Sequence, residues 1–408
     1  SIQPFYNPSN SQKRLAVKLS AKGEKSVLQG HPWIFSNSIQ KVNADASTGD
    51  LAIIFSKTKN KVIGIGLYDA ESPIRIKLLF SGGGQTIDKD FFRQRIDSAF
   101  EKRQELLKTN TTSYRIIFGE NDGFPGLIAD VYEHVLVVKL YSAIWKYYLH
   151  SILEELQETL GITTIVVRLS RQLQLGDQLP VEDGDVVYGT LENEVVEFVE
   201  HDVKFSANVI KGHKTGYFLD HRHNRKQVGE RSHGKSVLDV FSYAGGFSVH
   251  ALAKGATEVT SLDISKHALE IAKENANLNA YQGAHHTVVG DAFVEMKRLI
   301  KEGQTFDVVV IDPPSFAKQQ QEIELAKKKY AQLAELGIQL TNTNGLLVLA
   351  SCSSRVLAQQ FFDINARMLR DYQRPYEVLL KTYHDSDHPI GFAEGAYLKC
   401  GYYRFYDA

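Results

Sequence analysis

From about residue 201 onward the chain repeats one pattern, a short apolar β-rich run followed by a helix. The runs are SVLDVF, EVTSLDI, HHTVVGD, FDVVVIDPP and GLLVLAS, separated by helical stretches such as SKHALEIAKENANLN. A helix between successive strands carries the chain back across the sheet and makes the strands parallel, so the pattern predicts a doubly wound, mostly parallel α/β sheet. Two later runs, YEVLLKTY and AYLKCGYYRF, have no helix between them and should pair antiparallel at the end of that sheet. Sheets of this kind bind ligands outside the carboxyl ends of their strands. The residues that end the five runs are therefore the first candidates for chemistry.

The preceding 200 residues follow other rules. Between residues 14 and 80, RLAVKLS, HPWIFSN, DLAIIFS, KVIGIGLYD and IRIKLLF are short strands broken by turn residues, a pattern that suggests a small β-barrel. SGGGQ is a flexible joint, and Asp88 is a plausible N-cap for a helix carrying Phe92, Ile96, Ala99, Phe100, Arg103 and Leu107. Residues 114–200 mix strands with the amphipathic AIWKYYLHSILEELQETL, and GLIADVYEHVLVVKLYS reads as a hairpin turning at Glu133 and His134. The expected organisation is a β-barrel over 1–85, an α+β domain over 86–200 and the α/β domain over 201–408.

Charge adds one asymmetry. Residues 1–80 hold 11 Lys and Arg against 5 Asp and Glu, while the whole chain has a formal charge of −1. A basic module on an acidic body suits a polyanionic partner; scattered lysines on an ordinary solvated face are the competing reading. Two cysteines and no C-x-x-C pair argue against a disulfide framework or a zinc site and suggest a reducing cytoplasm. The opening SIQPFYNPSNSQKR lacks the apolar core of a signal peptide, and no apolar run reaches the ~18 residues of a membrane span.

The first strand of the α/β domain ends in LDVFSYAGGFSVHAL, where Asp239 precedes a turn containing Gly245 and Gly246. This turn is not G-x-G-x-x-G, which disfavours a nicotinamide enzyme. The second strand ends at Asp263, 24 positions after Asp239, where a carboxylate can accept both ribose hydroxyls of a nucleoside cofactor. The third ends in GDAF, where Asp291 can take an adenine amine. Singly, each aspartate reads as a helix N-cap. Three in successive strand ends, the first of them carrying a glycine turn, point to a nucleoside cofactor without a pyrophosphate, and the positive sulfonium of S-adenosylmethionine suits such acidic surroundings. The fourth strand ends VIDPPSF, with Asp312 before the rigid Pro313–Pro314 pair, and the fifth delivers Cys352 in SCSS. Cys352 is either a small buried hydrophobe or a nucleophile beside Asp312. Cys400, inside the last strand, reads as core.

These motifs together resemble a known family. GHKTGYFLDHRHNR, DVFSYAGGFS, DPPSF and SCSS look like the motifs of the bacterial large-subunit (23S) rRNA cytosine-5 methyltransferases, a class I S-adenosylmethionine-dependent group. KGEKSVLQGHPWIFSNSI resembles the family's N-terminal PUA domain, and YRIIFGENDGFPGLIADVY its central domain, so the likeness covers nearly the whole chain.

The resemblance implies a C-terminal methyltransferase domain with a mostly parallel seven-stranded sheet. It implies that Asp239, Ser242, Ala244, Gly245 and Gly246 hold the methionine end of the donor, Asp263 the ribose and Asp291 the adenine. Phe218, Asp220 and Arg222 flank the donor, with Arg222 suited to pair with its carboxylate. Asp312 meets both donor and cytosine, Pro313, Pro314 and Phe316 meet the base, and Cys352 is the nucleophile. Further implications are an RNA partner, 23S rRNA or a large-subunit precursor, a homodimer as a permitted assembly, and no metal. One feature departs from other cytosine-5 families, which use a second thiol to release product: no second cysteine follows the prolines of DPPSF, so release must rely on another base. The rival readings are an exocyclic amino methyltransferase, which needs no thiol, and a non-catalytic RNA-binding protein.

Overall fold

In a computed structural model, which describes residue 2 and residues 11–407, the chain forms two compact units. Most of the opening SIQPFYNPSN segment lies outside the described residues. The first unit comprises residues 1–198, 206–219 and 386–392; the second comprises 199–205, 220–385 and 393–408.

The first unit holds a six-stranded and a five-stranded sheet. The end strands of the six-stranded sheet, Trp33–Ile34 and Ile39–Val42, are joined directly by a 3-10 turn at Ser36–Ser38. Chain continuity thus brings the two ends of that sheet together, as in the barrel that the short strands suggest. Ala21–Leu28 is a helix that the strand pattern did not predict, capped by Ser20, whose hydroxyl accepts from the Gly23 amide. The hairpin of Leu127–Tyr132 and Val135–Leu140 turns at Glu133, whose φ of 57° is the left-handed geometry of a tight turn. Asp88 caps the helix Lys89–Lys102 by accepting from the Phe91 amide.

Buried ion pairs tie this unit together. The Arg103 guanidinium, fully buried, forms a fork with the Asp122 carboxylate at 2.7 and 3.0 Å. It also donates to the Asp387 carbonyl at 3.2 Å, and Asp387 Oδ2 accepts from the Arg115 amide at 3.0 Å. The Arg115 side chain makes a second fork with Asp130.

In the second unit the seven strands are β1 (Ser236–Val240), β2 (Glu258–Asp263), β3 (Ala284–Val289), β4 (Phe306–Ile311), β5 (Thr341–Ser351), β6 (Tyr376–Thr382) and β7 (Lys399–Phe405). Their order across the sheet is β3-β2-β1-β4-β5-β7-β6. The first five are parallel, and β7 runs antiparallel to both β5 and β6, as the missing helix between the last two runs requires. The helices are α1 (Arg222–Glu230), α2 (Gly246–Ala253), α3 (Lys266–Asn277), α4 (Ala292–Lys301), α5 (Ile323–Leu340) and α6 (Ala358–Asp371). Central strands bury nearly every side chain, including Leu238, Val240, Leu262, Val309, Leu347 and Leu349, because helices cover both faces. The strand order reverses at β1, between β2 and β4, and that reversal opens a crevice at the carboxyl ends.

Candidate active site

The turn after β1 departs from relaxed backbone. Phe241, Tyr243 and Gly245 have φ of 62°, 50° and 80°, and left-handed geometry in the two aromatic residues stores strain of the kind that clusters at ligand sites. Gly245 is required twice over, by that φ and because a Cβ there would lie 2.7 Å from the Ala272 Cβ on α3. The Ala244 carbonyl accepts from Asn275 Nδ2 at 3.0 Å, so α3 fastens the turn from one side. From the other side Asp263, at the end of β2, accepts from the Tyr243 amide through Oδ2 and from the Ser265 amide through Oδ1, both at 2.9 Å. The N-cap of α3 is Ser265; Asp263 instead stitches β2 to the strained turn.

Asp239 is fully buried. Its Oδ2 accepts from the Ser248 amide at 3.0 Å and hydroxyl at 2.6 Å, while Oδ1 has no hydrogen-bond partner among the described residues. Burial pushes its carboxyl up to about 7 against the lowering effect of Ser248, and the neighbouring Asp312 and Asp263 charges push in the same direction. Ser242 is also buried with its hydroxyl unsatisfied, although its amide is held by the Leu262 carbonyl. An orphaned carboxylate oxygen, an orphaned hydroxyl and three mutually repelling acids at a topological switch form a cradle that suits a small cation bearing hydrogen-bonding groups. The donor that the resemblance implies has those properties, so these residues fit it.

Asp312 follows β4, and its amide bonds the Val240 carbonyl at 3.3 Å, joining the ends of β4 and β1. Its Oδ1 lies 3.0 Å from His221 Nε2, a contact that the sequence did not suggest. Asn224 Oδ1 accepts from the Thr382 hydroxyl at 2.5 Å and the Tyr402 hydroxyl at 2.6 Å, which turns its amide nitrogen toward His221 Nδ1 at 2.9 Å. That orientation assigns the proton to Nε2, and the imidazole donates to Asp312. Burial opposes a charge on His221, but Asp312 overcomes it by charge and hydrogen bond, and the pKa rises. The relay has no short-range signature, because Asn224 and Tyr402 lie 178 positions apart.

Cys352 follows β5, with Sγ 3.8 Å from the Pro313 carbonyl oxygen, so the thiol stands beside the D-P-P turn. Its neighbours hold the loop: the Ser351 hydroxyl donates to the Tyr330 oxygen at 2.9 Å, and the Tyr330 and Ser353 hydroxyls lie 2.6 Å apart. Pro313 is buried and Pro314 exposed; Phe316 packs on Tyr330, their ring centroids 5.2 Å apart, with the Lys329 ammonium over its ring. Cys400 is fully buried in β7, and burial pushes its thiol far up, away from reactivity.

The remaining expected residues are placed as follows. Asp291 is exposed and caps α4, accepting from the Val294 amide at 3.0 Å. Asp220 accepts from the Tyr397 hydroxyl at 2.8 Å. Arg222, fully buried, pairs through Nη1 with Asp385 at 3.1 Å, an internal partner that the sequence did not suggest. Phe218 belongs to the first unit, with the Lys214 ammonium 4.9 Å from its ring centroid. Among the described residues no cluster of His, Cys, Asp and Glu is arranged to hold a metal, and no helix is long and apolar enough to cross a membrane.

Residues 115–363 match the family model of S-adenosylmethionine-dependent methyltransferases, and residues 17–80 match that of PUA-like domains. A ribosomal RNA large subunit methyltransferase of Deinococcus radiodurans is 39% identical over 399 residues, 96% of this chain and 98% of that protein. Ribosomal RNA large subunit methyltransferase I of Aeromonas salmonicida is 35% identical, over 92% of this chain and 96% of that protein. In fold, the crystal structure of SMU.776 complexed with SAH superposes with a TM-score of 0.80 at 21% identity, covering 96% of this chain and all of that one. The strand order, the strand-end cradle and these likenesses agree: the chain belongs to the S-adenosylmethionine-dependent methyltransferase family, in the group that holds these ribosomal RNA large subunit methyltransferases, and S-adenosylmethionine is its cofactor.

Proposed function

We propose that the protein methylates carbon-5 of a cytosine in large-subunit ribosomal RNA, in the cytoplasm, through a covalent Cys352 adduct. The observation that carries this reading is the position of the Cys352 thiol against the D-P-P turn, 3.8 Å from the Pro313 carbonyl and next in the chain order of strand ends to Asp312. The names of the relatives supply the substrate class. The basic balance of residues 1–80, on a PUA-like domain, supports RNA as the partner.

Carbon-5 of cytosine is a weak nucleophile until electrons enter the ring. Addition of the Cys352 thiolate at carbon-6 supplies them and makes carbon-5 carbanion-like. Asp312, oriented by His221, meets the ring nitrogen and exocyclic amine and balances the charge that develops there. When bound, S-adenosylmethionine supplies the electrophilic methyl group that carbon-5 accepts. Loss of the carbon-5 proton to a base then re-forms the ring double bond and expels the thiolate. The buried Asp239 and Ser242 atoms and the Asp263 carboxylate hold the donor, and the target base must leave its stack to reach the strand ends.

The test is digestion of the methylated RNA to nucleosides and mass spectrometry, with 5-methylcytidine as the expected product. A methyl group on the exocyclic nitrogen would instead establish the amino-methyltransferase reading.

Asp263→Asn keeps an acceptor oxygen for the turn but removes the charge. Donor affinity by calorimetry should fall by about 1.5–3 kcal/mol, the range for a lost charged hydrogen bond. Unchanged affinity removes Asp263 from the donor site.

A further inference from the structure

Among the described residues two lysines are buried; Lys77 pairs with Asp69, whereas Lys399 meets only backbone carbonyls, and the mechanism above leaves it unused. It opens β7 directly opposite Ser351 on β5, one residue before the thiol, and is 3% exposed. Its Nζ donates to three backbone carbonyls, Ser353 at 2.6 Å, Val356 at 2.5 Å and Tyr397 at 3.0 Å. A lysine ammonium has three protons, so all its donors are used, and every acceptor is neutral. Two of these carbonyls belong to the loop that follows Cys352. Burying a cation without a carboxylate partner is costly, and here three close carbonyl acceptors offset part of that cost.

We infer that Lys399 is a positioning residue for Cys352: it pins the loop after β5 and places a fixed positive charge beside the thiol, favouring the thiolate that attacks the base. This rests on the reading of Cys352 as nucleophile and extends it. The titratable groups around the pair are consistent with a cation set among potential anions. Burial lowers the Lys399 pKa to about 8, and an ionised Cys352 works in the opposite direction. Tyr330, from α5, is raised chiefly by burial and further by Cys352 and Asp312, and His221 is committed to Asp312. Lys399 thus reaches the loop of the thiol from β7, through the Ser353 and Val356 carbonyls.

The test reads thiol chemistry without RNA or donor. Alkylation of Cys352 by iodoacetamide, assigned by peptide mass spectrometry, is followed against pH in the full chain. Lys399→Met should shift the pH–rate curve upward, slowing alkylation about tenfold at pH 7, the equivalent of one pKa unit, with the two curves converging at high pH. Lys399→Arg, which keeps the charge, should return the curve toward the native one. An unshifted curve in a folded Lys399→Met protein overturns the inference. If that variant does not fold, linkage gives the reciprocal measurement: Cys352→Ala should lower the pH at which Lys399 loses its proton, followed by NMR of the lysine side chain, and an unmoved midpoint overturns the inference equally. Because neither readout involves methylation, failure here is distinct from failure of the cytosine-5 assignment, which nucleoside analysis tests.

Discussion

Cys352→Ala is expected to abolish methylation and, with it, a covalent trap that the native protein forms. RNA carrying 5-fluorocytosine at the target accepts the thiol at carbon-6 and the methyl at carbon-5, but fluorine cannot leave as a proton does. Elimination then stalls and the thioether persists, visible as a protein–RNA band in a denaturing gel. The alanine variant has no sulfur with which to form the adduct. Cys400→Ala should still form it, because the Cys400 thiol is sealed inside β7 with its pKa pushed up by burial. The effect is all-or-none: removing a covalent nucleophile leaves ring activation with no substitute among the groups at the strand ends. A Cys352→Ala protein that still methylates cytosine would falsify the covalent mechanism.

The largest stability effect should come from Arg225. Its guanidinium forks onto Glu200 at 2.6 and 2.8 Å, and His250 Nε2 lies 2.8 Å from the same carboxylate, all three side chains being buried. Burial alone would raise the Glu200 pKa, but Arg225 and then His250 overcome it and hold the carboxyl well below its usual range. Such a group contributes stability at pH values above the ordinary carboxylate range, and the contribution is lost as pH falls through the depressed value. Arg225→Leu leaves a buried carboxylate without its counter-ion, at a cost of about 3–5 kcal/mol at pH 7. Without the arginine, burial raises the Glu200 pKa in the folded variant, so the deficit should narrow as pH falls from that raised value toward the unfolded carboxylate range of roughly 4. Hydrogen exchange over α1, at pH 7 and pH 5, reads this locally; undiminished protection would show that Arg225 does not carry the pair.

How much of this was legible in the sequence follows from the range of each signal. Strand-ending aspartates are local features, and the alternation of apolar runs with helices places Asp239, Asp263 and Asp312 at one edge of a sheet. The antiparallel β6 and β7 were equally readable, from the absence of a helix between them. The helix Ala21–Leu28 was missed because eight residues containing a glycine carry too little periodicity to outweigh the strands around them. The His221–Asn224 relay and the Lys399 contacts were out of reach for another reason. Each joins residues that only the packed sheet brings together, Asn224 with Tyr402 and Lys399 with Ser353. Arg222 adds a contact of the same kind: its Nη1 meets Asp385, 163 residues away, a pairing that its motif position could not suggest.

The short return of residues 386–392 to the first unit bears on how the chain is made. Asp387 supplies two of the contacts around Arg103 and Arg115, yet it lies 284 and 272 positions beyond them. A ribosome adding about 5–20 residues per second separates the two arginines from this partner by on the order of tens of seconds. During that interval Arg103 has Asp122 but lacks the Asp387 carbonyl, and the Arg115 amide lacks its carboxylate. The first unit therefore leaves the exit tunnel unfinished, and these buried polar bonds close only once residue 387 has been made. No single cut in the polypeptide separates the two units into intact halves.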